Sequence, residues 1–217
     1  MQKWLQMRYA FIVLLAFSPF IFGRQSLTPC AGSFSSSHNK SAGFAAEHKK
    51  LSFAEPTLAE RKLHALINAY RASHKLSAIP LSKSLSYVAR THVHDLNAHP
   101  PESPCNAHSW SEHGVWSSCC YTPDHKQAKC MWDKPAELTN YKDSGFEIGY
   151  WTSAEANAEE ALEGWKTSAA HNAVIINQTI WKNEEWRSLG VGLAGQYAVV
   201  WFGKKKDPDG YWEEKAE

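Results

Sequence analysis

Leu189-Gly-Val-Gly-Leu-Ala194 and Gln196-Tyr-Ala-Val-Val-Trp-Phe202, joined at Gly195, form the stretch whose reading decides the fold. Two runs rich in β-branched and aromatic residues, separated by a glycine-bearing turn, predict a β-hairpin of the kind that makes the centre of a sheet. Working outward, Phe146 to Trp151 reads as another short strand, and His171 to Ile176 as a short helix. Between them, Ser153 to Ser168 predicts a helix with Ser153 as cap and Ala156, Ala161, Leu162 and Trp165 as its inward stripe. Further upstream, Thr57 to His74 carries Leu58, Leu63, Leu66, Ile67 and Tyr70 at helical spacing, with Thr57 and Glu60 placed as a capping box. A second helix opens at Ser82, sets Leu85, Val88, Ala89, His92 and Leu96 on one face, and stops before Pro100. The expected class is α+β, with helices packed on a small antiparallel sheet.

Residues 101–144 show no sustained period and concentrate Cys, Trp, Pro and His. A loop this long inside a compact domain is usually functional or held by disulfides. Cys105, Cys119, Cys120 and Cys130 all lie in it. Adjacent Cys119 and Cys120 are expected to bond to different partners, Cys105 and Cys130, with the pairing left open. A rival reading makes these cysteines, with His108, His113 and His125, a structural zinc site, although an oxidising compartment favours disulfides. The insert's Trp110, Trp116, Tyr121 and Trp132 suggest either a stacking surface for a glycan or apolar ligand, or buried anchors for the loop.

The chain's start is read as an export signal: Lys3 and Arg8 precede an apolar run from Tyr9 to Phe22 that is too short for the roughly 20 residues of a membrane span. The expected organisation is a signal peptide over 1–26, a polar linker over 27–55, a domain over 56–203 and a charged tail over 204–217. Cys30, in Leu27-Thr28-Pro29-Cys30-Ala31, loosely matches a lipoprotein box and is a candidate lipidation site. Membrane attachment would come through that lipid or an uncleaved leader, and the location is secreted or cell-envelope. A net charge of +1, with Lys204 to Lys206 the one basic cluster, argues against a nucleic-acid surface.

Taken together, Trp165-Lys-Thr-Ser168-Ala-Ala-His171-Asn-Ala-Val-Ile-Ile176, Leu189-Gly-Val-Gly192 and Tyr197 to Phe202 resemble the C-terminal signature of bacterial members of the CAP family, which comprises the cysteine-rich secretory proteins, antigen 5 and the pathogenesis-related 1 proteins. Ala107-His108-Ser109 is similar to the family's first cavity-histidine motif, and Gly145-Phe-Glu147-Ile to the stretch carrying a cavity glutamate. The resemblance implies a three-layer α-β-α sandwich with a cleft lined by His108, Glu147 and His171. The family's second glutamate falls at Ser168 here, so the full acidic set is absent.

Two imidazoles, His108 and His171, can bind zinc weakly, with water and Glu147 completing the shell. Neither a Gly-x-Ser-x-Gly nor a His-Glu-x-x-His pattern is present. The preferred reading is therefore a non-catalytic extracellular binding module for a metal ion, a small ligand, a glycan or a protein. The alternative is a zinc-assisted hydrolase of peptides or esters in which Glu147 activates water. His92, His94 and His99 are read as surface or core-edge residues.

Overall fold

The computed structural model describes residues 53–213. The leader, Cys30 and all but the last residues of the linker lie outside that range. Ten elements follow in order: α1 (Leu58–Ser73), α2 (Lys83–Ala98), α3 (Ala128–Trp132), α4 (Lys134–Leu138), β1 (Gly145–Trp151), α5 (Ala158–Thr167), α6 (Ala169–Ile175), a 3₁₀ turn (Thr179–Trp181), β2 (Ser188–Ala194) and β3 (Tyr197–Gly203).

The predicted hairpin forms, and β3 is the central strand: the sheet order is β1-β3-β2, with both pairings antiparallel. Gly195 has φ +55, the left-handed conformation the turn requires. Asn97 clamps that turn by donating to Ala194 O and accepting from Gln196 N.

Alternation along the strands creates two unlike faces. Ile148, Leu189, Val191, Ala198, Val200 and Phe202 pack against α1, α5 and α6 through Leu63, Ile67, Ala161, Leu162, Trp165 and Ile175. Val199, Trp201 and Tyr197 point the other way, to Leu85, Val88, Ala89, Val93 and Leu96 of α2 and to Trp110, Tyr121 and Met131 of the insert. The result is the α-β-α sandwich anticipated above.

On the α2 side, β2 presents Gly190 and Gly192 in place of side chains. A Cβ at Gly190 would stand 2.1 Å from the Leu85 carbonyl carbon, and one at Gly192 would stand 2.5 Å from that of Ala89. The helix backbone therefore lies directly on the sheet, close enough for α2 side chains to reach residues of β1.

Both N-terminal helices begin where expected. Glu60 N donates to Thr57 Oγ1 at 3.2 Å while Thr57 N donates to Glu60 Oε2 at 2.7 Å, and Ser82 Oγ caps α2 by accepting from Leu85 N. The later helices differ from the reading. Instead of starting at Ser153, α5 starts at Ala158 with Asn157 as cap, because Thr152 N and Ala156 N are committed to Gln196 O and Gly195 O of the hairpin turn. Helix α6 begins at Ala169, two residues before His171.

Beyond β3, Lys205 and Lys206 are exposed, but the chain that follows packs back onto the domain. Asp207 is buried at the start of α2, where it accepts from Ser82 Oγ, Ser84 N and Ser84 Oγ, and Trp212 N donates to Leu81 O. A carboxylate is favoured there because the first amides of a helix lack intrahelical partners and carry the positive end of its dipole.

Candidate functional site

The insert reaches the site along two disulfides, Cys105–Cys120 and Cys119–Cys130, so both adjacent cysteines do bond to different partners. Sulfur that is consumed in this way forms no zinc site, and the rival reading of the insert is overturned. Between the bridges the chain pairs with itself: Trp110 and Cys119 exchange both backbone hydrogen bonds, and Asn106 N donates to Tyr121 O. Asp95 of α2 ties the loop down by accepting from Ser111 N and Ser111 Oγ. Trp110 and Tyr121 are buried and so serve as anchors of the insert, while Trp116 and Trp132 are half-buried.

Glu147 sits in the middle of β1 opposite Trp201, on the face that looks toward α2. Its side chain is wholly buried, in contrast to the solvated face that a lone acidic residue on a strand usually occupies. Two imidazoles converge on it. His92 Nδ1 donates to Oε2 at 2.5 Å, and His108 Nδ1 donates to Oε1 at 2.6 Å.

His92 corrects the sequence reading most sharply, because it is neither surface nor core edge: it is fully buried beneath the insert. The signal was in its position on the apolar stripe of α2, since a polar side chain on a buried stripe demands a partner. Its other nitrogen, Nε2, donates to Ser109 O at 2.8 Å. Both neighbours are acceptors, so both ring nitrogens must carry protons while Glu147 is ionised. The indole of Trp110 stacks on this ring at 4.3 Å with 5° between planes, and the Lys134 ammonium lies 5.6 Å from a Trp110 ring. A protonated imidazole gains from the indole face as any cation does.

The electrostatics agree with this hydrogen-bond count. Burial alone would raise the Glu147 carboxyl, but the His92 charge and the hydrogen bonds from both imidazoles overcome it and hold the group at about 2. Burial likewise opposes charge on His92, and the Glu147 carboxylate outweighs it and leaves the imidazole above its ordinary value. His171, at the start of α6, is pushed down, first by burial and then by the charge of nearby His108, which favours a neutral ring with a free lone pair.

These shifts set a pH dependence. A carboxyl depressed from 4.5 to about 2 contributes stability that is complete above pH 4.5 and lost as pH falls toward 2. His92, raised above 6.5, contributes stability that is complete below 6.5 and lost as pH rises through its folded value. The difference in urea midpoint between wild type and Glu147→Gln should therefore be largest between about pH 4.5 and 6.5, and shrink on both sides. A difference that does not vary with pH would mean that the pair is not ionised.

His108 is the member of the group that meets solvent, with a side chain 21 % exposed. With Nδ1–H donated to Glu147, a neutral ring carries its lone pair on Nε2, the carboxylate–histidine arrangement that orients an imidazole. His171 is half-buried and close enough to sense the His108 charge. Ser168, at the junction of α5 and α6, supplies no carboxylate; Glu160 is exposed, and Glu163 is exposed and paired with Lys166. Among the described residues no three His, Cys, Asp or Glu side chains cluster as a metal site.

No curated protein sequence matches the chain significantly. The fold is similar to three bacterial structures: an extracellular protein from Bacillus anthracis containing an SCP domain (18 % identity, TM-score 0.47), a cysteine-rich secretory protein from Staphylococcus aureus (13 %, 0.45) and an outer surface protein from Borrelia burgdorferi (17 %, 0.46). They cover 68, 68 and 71 % of this chain, which in turn spans 40, 39 and 100 % of theirs. Among the described residues no helix is long and apolar enough to cross a membrane. The sequence model of the Cysteine-rich secretory protein family matches residues 64–194, from α1 through β2 and including all four residues of the His/Glu group, and the chain belongs to that family.

Proposed function

We propose that the protein is an exported, non-catalytic binding module whose cleft at His108 and His171 takes a divalent ion such as zinc, or a small ligand that an imidazole pair can hold. The observation that carries this reading is the state of Glu147. Both of its oxygens accept from imidazole N–H donors, its side chain is wholly buried, and its carboxyl is held at about 2, so it neither meets solvent water nor is basic enough to take a proton from it. With Ser168 at the second acidic position, no other carboxylate among the described residues joins His108 and His171. Glu147 acts instead as the group that orients His108, and His92 as the buried cation that keeps Glu147 ionised.

Zinc bound here would act as a Lewis acid toward whatever ligand completes its shell. Two protein ligands make such a site weak and exchangeable, unlike the three of a typical catalytic zinc. The partner presented to the cleft is then a small molecule, a glycan or an extracellular protein. The leader supports secretion or a place in the cell envelope, with attachment through Cys30 lipidation or an uncleaved leader.

Zinc titration by calorimetry on the oxidised protein tests the proposal. Wild type should bind about one equivalent, and His108→Ala and His171→Ala should each lower the affinity at least tenfold, on the order of 1.4 kcal/mol. Glu147→Gln should weaken binding by 10- to 100-fold, the usual cost of losing the group that orients a ligating histidine. Binding indifferent to both histidines would sink the metal reading. Turnover of a peptide or ester that Glu147→Gln abolishes while zinc stays bound would favour the hydrolase instead.

A further inference from the structure

Away from the histidines, a cavity of about 420 Å³ opens on the insert, and its walls include Cys119, Cys120, Cys130, Asp124, Lys126 and Gln127. Both disulfides are thus reached from one surface depression. The two bridges are not equivalent. Cys119 is 4 % exposed and packed in the core beside Trp110 and Tyr121, whereas Cys120 is exposed and Cys105 half-exposed. Cys130 is half-exposed like Cys105, so Cys120 is the one exposed cysteine of the four, and an incoming thiolate meets the Cys105–Cys120 bridge first.

That bridge also lies where it bears on the His/Glu group. Cys105 directly precedes Asn106 and Cys120 directly precedes Tyr121, and Asn106 N donates to Tyr121 O at 2.9 Å. Asn106 Oδ1 then accepts from His108 N at 3.0 Å, Ser109 Oγ accepts from Tyr121 N at 2.8 Å, and Ser109 O receives the proton of His92 Nε2. The bridge therefore closes the loop that delivers His108 to Glu147 and Ser109 to His92. No helix or strand lies between residues 101 and 127; Ser111 is held by Asp95 and Trp110 by Cys119, and the segment from Asn106 to Ser109, just before them, is closed by the Cys105–Cys120 bridge.

We propose that Cys105–Cys120 is a thiol–disulfide exchange site whose substrate class is a small or surface-presented dithiol, and that its reduction releases the His108 segment. In the first step one thiolate of the dithiol attacks Cys120 Sγ, forming a mixed disulfide and expelling the Cys105 thiolate, which takes a proton from water. The second thiolate of the reductant then attacks its own sulfur in the mixed disulfide, closes a cyclic disulfide and expels Cys120, which is protonated in turn. Two electrons pass from the dithiol to the bridge. The Cys119–Cys130 bridge stays closed and keeps the rest of the insert anchored to α3.

The consequence for ligand binding rests on the function proposed above; the exchange itself does not. The full chain is treated with limiting dithiothreitol, trapped with iodoacetamide and mapped by mass spectrometry, Cys30 being read separately. Cys105 and Cys120 should be alkylated at least tenfold faster than Cys119 and Cys130. Hydrogen exchange at the amides of Asn106, His108 and Ser109 should rise at least tenfold on reduction, and equally in the Cys105→Ser/Cys120→Ser variant without reductant. Equal labelling of the four cysteines, or protection of those amides retained in both the reduced protein and the double variant, overturns the proposal. Zinc affinity of the oxidised and reduced forms separates the two readings: absence of zinc binding in the oxidised form counts against the binding role alone, while labelling and exchange still decide the latch.

Discussion

Glu147→Ala should destabilise the protein by about 3–5 kcal/mol, the range expected when one partner of a buried ion pair is removed and the other is left uncompensated. His92 has no exposed surface; Ser109 O and the face of Trp110 supply no full negative charge, and the Asp95 carboxylate, a weaker influence than Glu147, is hydrogen-bonded to Ser111 rather than to the imidazole. The variant has two routes open to it. It can keep a buried imidazolium without a counter-ion, or it can deprotonate His92 and leave one ring nitrogen without a partner. Both are costly. His108 loses its anchor in the same step, so the insert should loosen along with the global loss. Urea unfolding of Glu147→Ala, His92→Leu and the double variant provides the measurement. If the cost comes from the stranded charge, the double variant should be more stable than Glu147→Ala alone, giving a non-additivity of at least 1 kcal/mol. Additive losses would show instead that the pair contributes nothing beyond the volume of its two side chains.

The fold was legible wherever a local pattern agreed with its tertiary setting. The hairpin declared itself through β-branched and aromatic runs around Gly195, and α1 through its capping box, since both features are satisfied by residues three or fewer positions apart. The start of α5 was not legible in the same way. Ser153 and Asn157 are both competent caps, and the choice between them was made by the hairpin turn, which takes up the backbone of Thr152 and Ala156 from more than 35 residues away in sequence. Cysteine pairing was hidden for a related reason: two adjacent cysteines and two distant ones allow more than one connectivity, and only the folded path of the insert selects one. His108, Glu147 and His171 were found by resemblance to a family, and the structure joins the first two directly and sets the third nearby. His92 shows what a more literal reading of the residues could have added. Its position on the inward stripe of α2 is at odds with a surface or edge place, because a histidine there needs a buried acceptor, and Glu147 is the one acidic residue that the resemblance puts in the cleft.

The close approach of α2 to the sheet yields the second large effect. Gly190→Ala should cost about 3 kcal/mol, the upper part of the usual range for overpacking, because the added methyl meets helix backbone rather than a side chain that can turn aside. The new Cβ would lie 2.1 Å from the Leu85 carbonyl carbon and 2.3 Å from its oxygen, so α2 must move off β2 by more than an ångström to restore ordinary contact. His92 rides on that helix two turns further on, and its 2.5 Å hydrogen bond to Glu147 does not survive such a shift unchanged. The substitution should therefore move the His92 imidazole signals in NMR spectra as well as the unfolding midpoint, although Gly190 touches no member of the His/Glu group. Gly149→Ala is the control. It lies on β1 two residues after Glu147, its added methyl would meet nothing within 4 Å, and its backbone is not in the left-handed region. Stiffening the unfolded chain should make it neutral or stabilising by about 0.4–1 kcal/mol. Two glycine-to-alanine changes in one sheet, expected to differ in sign, test whether the backbone contact between α2 and β2 sets the depth at which His92 meets Glu147. If Gly190→Ala proved as mild as Gly149→Ala, α2 would have slack against the sheet and the position of His92 would have to be fixed by the insert alone.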